Sequence, residues 1–179
     1  HVLAKDNQSI ESWYQLGELY RGEGRLAEAI ASYRQAQTLG ADPDLIRFVL
    51  AALGEGPVVQ RPPALYVQGL FDHYSGEFEA HLVGQLQYQA HRILAELLPS
   101  ATIEAFDRVL DLGCGTGLCG EVLRPRTRWL AGVDVSTAML ARAKARSIYD
   151  ELREQDIVSF LADDTQTWNL VVAADVLNY

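Results

Sequence analysis

Residues Arg108 to Gly117, RVLDLGCGTG, carry an apolar strand straight into glycines at 113, 115 and 117, and a second apolar run, WLAGVD, ends on Asp134. Few folds accommodate that order. The chain must turn sharply out of the strand and bring bare backbone close to a ligand, which a side chain at Gly113, Gly115 or Gly117 would obstruct. Asp134 follows Gly113 by 21 residues, near the separation of about 20 at which an acid on the next strand reaches ribose hydroxyls. A carboxylate accepts two hydroxyl donors and repels a phosphate at the same place. The pattern predicts a doubly wound, Rossmann-like α/β sheet with a nucleoside-bearing ligand at its strand ends.

Two ligand classes compete, because Gly115, Gly117 and Gly120 also spell the GxGxxG of a dinucleotide binder. In such a site the loop cradles a pyrophosphate at a helix N-terminus, and an acid beside the loop repels it. Asp111 stands two residues before Gly113. S-adenosyl-L-methionine has no phosphate and carries a cationic sulfonium and ammonium, so the same carboxylate helps.

VLDLGCGTG followed by GVDVS, Gly132 to Ser136, resembles the cofactor motifs of class I S-adenosylmethionine-dependent methyltransferases. The resemblance runs on through MLARAKAR, a helix after the second strand, to NLVVAADVLNY, which is similar to that family's fourth strand and active-site turn. It covers about Ala64 to Tyr179. It implies S-adenosyl-L-methionine as cofactor and S-adenosyl-L-homocysteine as product, with contacts from Asp111, Gly113, Cys114, Gly115, Gly117, Asp134, Val135 and Ser136. It also ends the third strand near Asp156, whose carboxylate and the Ile157 N–H would meet the adenine edge, an amine donor beside a ring acceptor. Asp163 and Asp164 compete for that place if the strand instead runs through Val158 to Leu161. Ala174 and Asp175 close the fourth strand where the family faces the transferring methyl. Asp175 is thus a weak catalytic candidate, with three readings: taking a proton, orienting an amine or holding the turn. ADVLNY lacks the Asn-Pro-Pro-Tyr turn of many amine-specific enzymes acting on nucleobases and glutamine, which disfavours DNA bases. One extra residue spoils an Asp-x-x-Tyr role for Tyr179. Family domains continue with a fifth strand and a closing hairpin, so the chain is expected to lack the C-terminal strands and to expose one edge of NLVVAADV.

The N-terminal third follows another rule. Trp13, Leu16, Gly17, Tyr20, Ala29, Tyr33 and Ala36 resemble the tetratricopeptide pattern of a helical hairpin. Gly17 and Ala29 would let the helices approach while Tyr20 and Tyr33 fill the gap, with the turn at Gly22 to Arg25. Asp42 and Pro43 resemble the end of a repeat, and Asp44 is expected to cap a further helix, Leu45 to Leu53. One repeat cannot bury its own face, so more are expected before His1, which is not expected to be a natural start. Two roles stay open: holding a protein partner, or packing on the catalytic domain. Gly54 to Pro63, GEGPVVQRPP, breaks helices. The expected division is a repeat module at 1–56, a linker at 57–63 and a methyltransferase domain at 64–179.

Tyr66 to Leu98 predicts two helices broken at Ser75 and Gly76, with Phe71, Tyr74, Phe78, Leu82 and Leu86 at helical spacing. YVQGLFDHYSGEFEAHLV is similar to the N-terminal helices that cover the cofactor in bacterial methyltransferases fused to tetratricopeptide repeats. Tyr74 and Tyr88 are lid candidates, against the alternative that such a stripe is packing.

A formal charge of -9 argues against nucleic acid as a partner. Arg124, Arg126, Arg128, Arg142, Lys144 and Arg146 form a basic cluster read as a solvated face rather than an anion site. The sequence shows no targeting segment and no apolar run near a membrane span, so the expectation is a cytoplasmic protein without a membrane partner. Cys114 and Cys119 both sit at the glycine loop, far in sequence from His1, His73, His81 and His91, and no metal site is expected. Cys114 is expected to offer a small side chain and a backbone amide at the helix start. The reading is methyl transfer to an unidentified small-molecule or protein acceptor. Its rivals are a non-catalytic adaptor that keeps the fold and, further off, an NAD-dependent oxidoreductase.

Overall fold

The computed structural model describes residues 9–98 and 105–176, and the chain divides between Tyr66 and Val67 into two compact units. The first is a helical hairpin with a third helix. Helix α1, Ile10–Gly22, starts where the Ser9 side chain accepts the Ser12 N–H, and α2, Leu26–Thr38, follows a turn through Gly24 at φ 74°. Tyr33 is fully buried and donates its hydroxyl to Glu18 at 2.6 Å. Its ring occupies the space that the missing side chain of Gly17 leaves, since a Cβ there would lie 2.5 Å from Tyr33 Cε1. Ala29, Tyr33, Ala36, Ile46, Val49 and Leu50 make the core.

Helix α3, Pro43–Ala52, corrects one expectation. Its cap is Asp42, not Asp44: Asp42 Oδ1 accepts the N–H groups of Asp44 at 3.0 Å and Leu45 at 2.8 Å. Pro43 explains the shift, because a proline fits the first helical position, where its missing N–H would have no intrahelical partner. Helix α4, Ala64–Tyr74, begins in this unit, with the Tyr66 ring centroid 4.6 Å from that of Phe48.

Gly17→Ala should destabilise the hairpin by about 1 to 3 kcal/mol, the scale of forcing a methyl into a filled core. Tyr33 is buried and hydrogen-bonded, so it cannot swing aside cheaply. Chemical denaturation followed at the helix signal measures this; an unchanged midpoint would mean that Gly17 does not set the helix spacing.

In the second unit the expected pair of helices before the sheet is three pieces. After α4 and a turn at Ser75 to Glu77 the chain makes a π-helical segment, Ala80–Gln85, then breaks with Gln87 at φ 52° before α5, Ala90–Leu97. QLQYQ explains the break: it alternates polar and apolar residues, so no helical stripe continues through it.

Strands β1, Phe106–Leu112, β2, Thr127–Asp134, β3, Glu151–Glu154, and β4, Leu170–Ala173, form one parallel sheet in the order β3-β2-β1-β4. Helices α6, Leu118–Leu123, α7, Thr137–Ala145, and α8, Ile157–Asp163, make the crossovers. Strand alternation sends Val109, Leu130 and Val172 to one face against Leu94, Leu98, Cys119 and Leu123. Leu110, Leu112, Ala131 and Val133 go to the other, against Ile157, Phe160 and Trp168. Both faces are covered, as in a doubly wound fold. The chain steps outward from β1 to β3 and returns to β4 on the far flank of β1, so the strand order reverses between β1 and β4. Ligands bind at the carboxyl ends of the strands at such a reversal. Among the described residues, β1 is the strand that pairs with β4, whose other edge is open.

Val158 to Leu161 is helical, not the alternative end of the third strand. Asp156 Oδ1 accepts the N–H groups of Val158 and Ser159, both at 3.1 Å, and this cap starts α8 where β-prone residues left the sequence ambiguous.

Candidate cofactor site

The loop from β1 to α6 holds its three glycines at positive φ: 63° at Gly113, 53° at Gly115 and 93° at Gly117. They are needed for different reasons. A Cβ on Gly113 would lie 2.2 Å from Val176 Cγ2, and one on Gly117 would lie 3.0 Å from Arg146 and 3.2 Å from Tyr149. At Gly115 nothing comes within 4 Å. Protein packing therefore demands the outer two glycines, and the middle one faces open space.

Asp134 ends β2 beside that space. Its Oδ2 accepts the Gly115 N–H at 2.8 Å and its Oδ1 accepts the Ser136 N–H at 2.9 Å. Each oxygen keeps capacity for a further donor. Burial raises the Asp134 carboxyl above the ordinary range, against the N–H groups of Ser136, Gly115 and Val135, which favour the ionised form. Ser136 is fully buried, and its hydroxyl is used twice: it accepts the Met139 N–H at 3.1 Å to cap α7 and donates to Asp72 Oδ1 at 2.5 Å. Asp72 also accepts the Ala138 N–H at 3.1 Å, fastening α4 to the start of α7.

Asp111, 1% exposed, receives the Tyr149 hydroxyl on Oδ2 at 2.7 Å. Burial pushes its carboxyl up to about 7, the Tyr149 hydrogen bond opposes this, and the Asp134 charge adds to it. A carboxylate in the sequence is an anion by default; removal from water raises the Asp111 carboxyl toward neutrality. The Cys114 amide is not available to a ligand either, since it donates to the Val133 carbonyl at 3.0 Å. Burial raises the thiols of Cys114 and Cys119, the latter to about 12, so neither is a reactive thiolate.

Gln155 N–H donates to the Asp134 carbonyl at 3.0 Å, which brings Asp156 and Ile157 alongside Asp134 at the sheet's carboxyl edge. Asp163 and Asp164 stand at the opposite end of α8, where Asp164 accepts the Trp168 indole N–H at 2.6 Å. On the other flank, Ala173 pairs with Leu112, which sets Ala174 and Asp175 next to Gly113. Asp175 is exposed at φ 57°, a left-handed conformation that aspartate tolerates. Tyr179 lies outside the described residues.

Residues 109–179 match the methyltransferase domain family, and residues 10–42 match the tetratricopeptide repeat. The chain joins a tetratricopeptide repeat to a class I methyltransferase domain. S-adenosylmethionine is the cofactor of such domains. The chain is 39% identical over 79 residues to the arginine biosynthesis bifunctional protein of Thermobifida fusca, covering 44% of this chain and 20% of that protein. It is 33% identical over 99 residues to trans-aconitate 2-methyltransferase of Yersinia pestis, covering 54% and 38%. The chain thus spans well under half the length of these relatives. A crystal structure of magnesium protoporphyrin IX methyltransferase from Synechocystis with bound S-adenosylmethionine superposes with a TM-score of 0.51 at 18% identity, covering 67% of this chain and 65% of that one. That likeness concerns the fold.

The methyltransferase domain separates its two lid candidates. Tyr88 has its hydroxyl pushed up to about 12 by burial first, then by Cys119 and by the carboxylates of Asp175 and Asp111 nearby. Its ring stacks on that of His91 at 6.0 Å. Tyr74 hydrogen-bonds His81 and lays its ring edge-on to Phe78 at 5.4 Å, contacts inside the helical segment. The basic cluster is not one surface. Arg124 bonds the carbonyls of Ile148, Thr127 and Arg128 and pairs with Asp150; Arg128 pairs with Asp107; and Arg146 ties the Thr116 carbonyl to Glu79 and Glu121. These arginines knit the loop ends together.

Tyr149 escaped the sequence reading. Its only trace there is glycine: a Cβ on Gly120 would lie 2.3 Å from the Tyr149 hydroxyl oxygen, and one on Gly132 would lie 2.9 Å from the ring. The last glycine of the apparent dinucleotide motif makes room for a tyrosine.

Proposed function

We propose that the chain binds S-adenosylmethionine over Gly113 to Gly117 and serves methyl transfer to a small-molecule or protein acceptor. The observation that carries this is the open backbone at Gly115, joined by hydrogen bond to the Asp134 carboxylate. The donor set fits the cofactor. Asp134 would take the ribose hydroxyls, the Asp156 carboxylate and the Ile157 N–H the adenine edge, and Asp111 the ammonium. Bound there, S-adenosylmethionine supplies an electrophilic methyl on a sulfonium. The protein's part is positioning, which can carry most of such a displacement. Asp175, exposed beside Gly113, would meet the acceptor, and Tyr88 would shield the loop from water.

The repeat is proposed to dock a protein partner, which supports as second reading an adaptor that keeps the cofactor fold without turnover. A cytoplasmic setting suits the two buried free thiols. Among the described residues, no helix is long and apolar enough to cross a membrane.

Calorimetric titration of this chain with S-adenosylmethionine, S-adenosylhomocysteine and NAD tests the cofactor. The first two should bind and NAD should bind more weakly, because an acid beside the loop disfavours a pyrophosphate. The affinity for S-adenosylmethionine should fall as pH drops from 8 to 6, since Asp111 takes up its proton around 7. Tighter binding of NAD would reject the assignment. Transfer of labelled methyl into an acceptor screen then separates enzyme from adaptor.

A further inference from the structure

We propose that Tyr149 is a positioning residue of the cofactor site: it occupies Oδ2 of Asp111 and holds the carboxylate with Oδ1 open for the cofactor's ammonium. The proposal rests on the S-adenosylmethionine reading above. Tyr149 lies just before β3, 38 residues along the chain from Asp111, yet its hydroxyl reaches the carboxylate at 2.7 Å. The slot for its ring is built. A Cβ on Gly120 of α6 would lie 2.3 Å from its hydroxyl oxygen and one on Gly132 of β2 would lie 2.9 Å from its ring, and Gly117 of the loop borders it at 3.2 Å. Among the described residues, Tyr149 is the donor to the Asp111 side chain. A carboxylate held by one donor on one oxygen is fixed in rotation and keeps acceptor sites for a cation's N–H groups.

Of the other titratable groups around Asp111, the Asp134 carboxylate opposes its charge, and the thiols and the phenol are held neutral by burial. Asp134 faces it from β2, Cys114 from the loop, Cys119 from α6, and Tyr88 from the segment before α5. Arg146, the cation beyond Gly117, is committed to the Thr116 carbonyl, Glu79 and Glu121. The Tyr149 hydroxyl is thus the neighbour that favours the ionised form. Removing it must raise the pH at which Asp111 becomes an anion.

Binding of S-adenosylmethionine to the wild-type chain and to Tyr149→Phe is measured by calorimetry between pH 6 and 9. In the wild type the affinity should fall on the acid side, as Asp111 takes up its proton around pH 7. In Tyr149→Phe this acid limb should move upward by about one pH unit, the scale of losing a hydrogen bond to a charged group, and affinity should approach wild type at pH 9. In Asp111→Asn the limb should vanish, and adding Tyr149→Phe to it should change little. Gly120→Ala gives a second route if Tyr149→Phe does not fold, since its methyl would displace the hydroxyl oxygen; the limb should move the same way. Weakening by one constant factor at every pH would make Tyr149 mere packing and overturn the proposal. Failure of the wild type to bind S-adenosylmethionine at all would overturn the cofactor reading itself, a different result.

Discussion

Asp134→Ala should weaken S-adenosylmethionine binding by about 1.5 to 3 kcal/mol, roughly ten- to a hundredfold, the cost of removing hydrogen bonds to a charged acceptor. The substitution removes the acceptor proposed for the ribose hydroxyls. It also frees the Gly115 and Ser136 N–H groups, which the carboxylate holds at 2.8 and 2.9 Å. The open backbone at Gly115 then loses its anchor. Asp134→Asn separates the two contributions, because an amide keeps one carbonyl acceptor but replaces the other with donors. It should therefore lose part of the affinity and hold the loop better than alanine does. Calorimetry at one pH above 8, where Asp111 is ionised, keeps that titration out of the comparison. Unchanged affinity in the alanine variant would sink the ribose contact and move the ligand away from β2.

The parts of this site that could be read in the sequence are those set by neighbours in the chain. Three glycines after an apolar strand, with an acid closing the next strand, fix a sharp turn and an acceptor whatever surrounds them, and both are where the sequence puts them. The sequence does not show what surrounds the glycines. At Gly115 a Cβ would meet nothing within 4 Å, whereas Gly113 and Gly117 are constrained by Val176, Arg146 and Tyr149, from parts of the chain that come together only in the folded sheet. The upward shift of the Asp111 carboxyl is equally hidden. A carboxylate in a sequence is an anion by default, and only complete burial on the α6 side of β1 lifts it toward neutrality. The arginines read as a solvated face for a similar reason: charge gives no sign of the carbonyls of Ile148, Thr127 and Thr116 that Arg124 and Arg146 reach. In the helical segment the failure was one of period. A two-residue alternation at QLQYQ broke what the aromatic spacing upstream had suggested was continuous.

The repeat was more legible, because its contacts come from residues spaced along two adjacent helices, and this makes Tyr33 the position of largest expected effect there. Tyr33→Ala should cost the hairpin about 3 to 5 kcal/mol, the range for emptying a fully buried aromatic site. Three losses combine. The ring leaves a void against Gly17, which has no side chain to relax into it. Tyr14 loses its tilted ring partner at 5.6 Å. Glu18 loses the hydroxyl that donates to it at 2.6 Å, although Arg21 remains as its ion-pair partner. Tyr33→Phe removes only the hydroxyl and should cost about 1.5 kcal/mol, the low end of the range for a hydrogen bond to a charged group, since Glu18 is partly exposed and keeps Arg21. Small cores lack the reserve to absorb the larger figure. The alanine variant should show hydrogen exchange in α1 and α2 near the unprotected rate, with the phenylalanine variant close to wild type. If alanine and phenylalanine behaved alike, the ring would contribute nothing beyond its hydroxyl, and the hairpin would owe its stability to α3 rather than to the Gly17–Tyr33 contact.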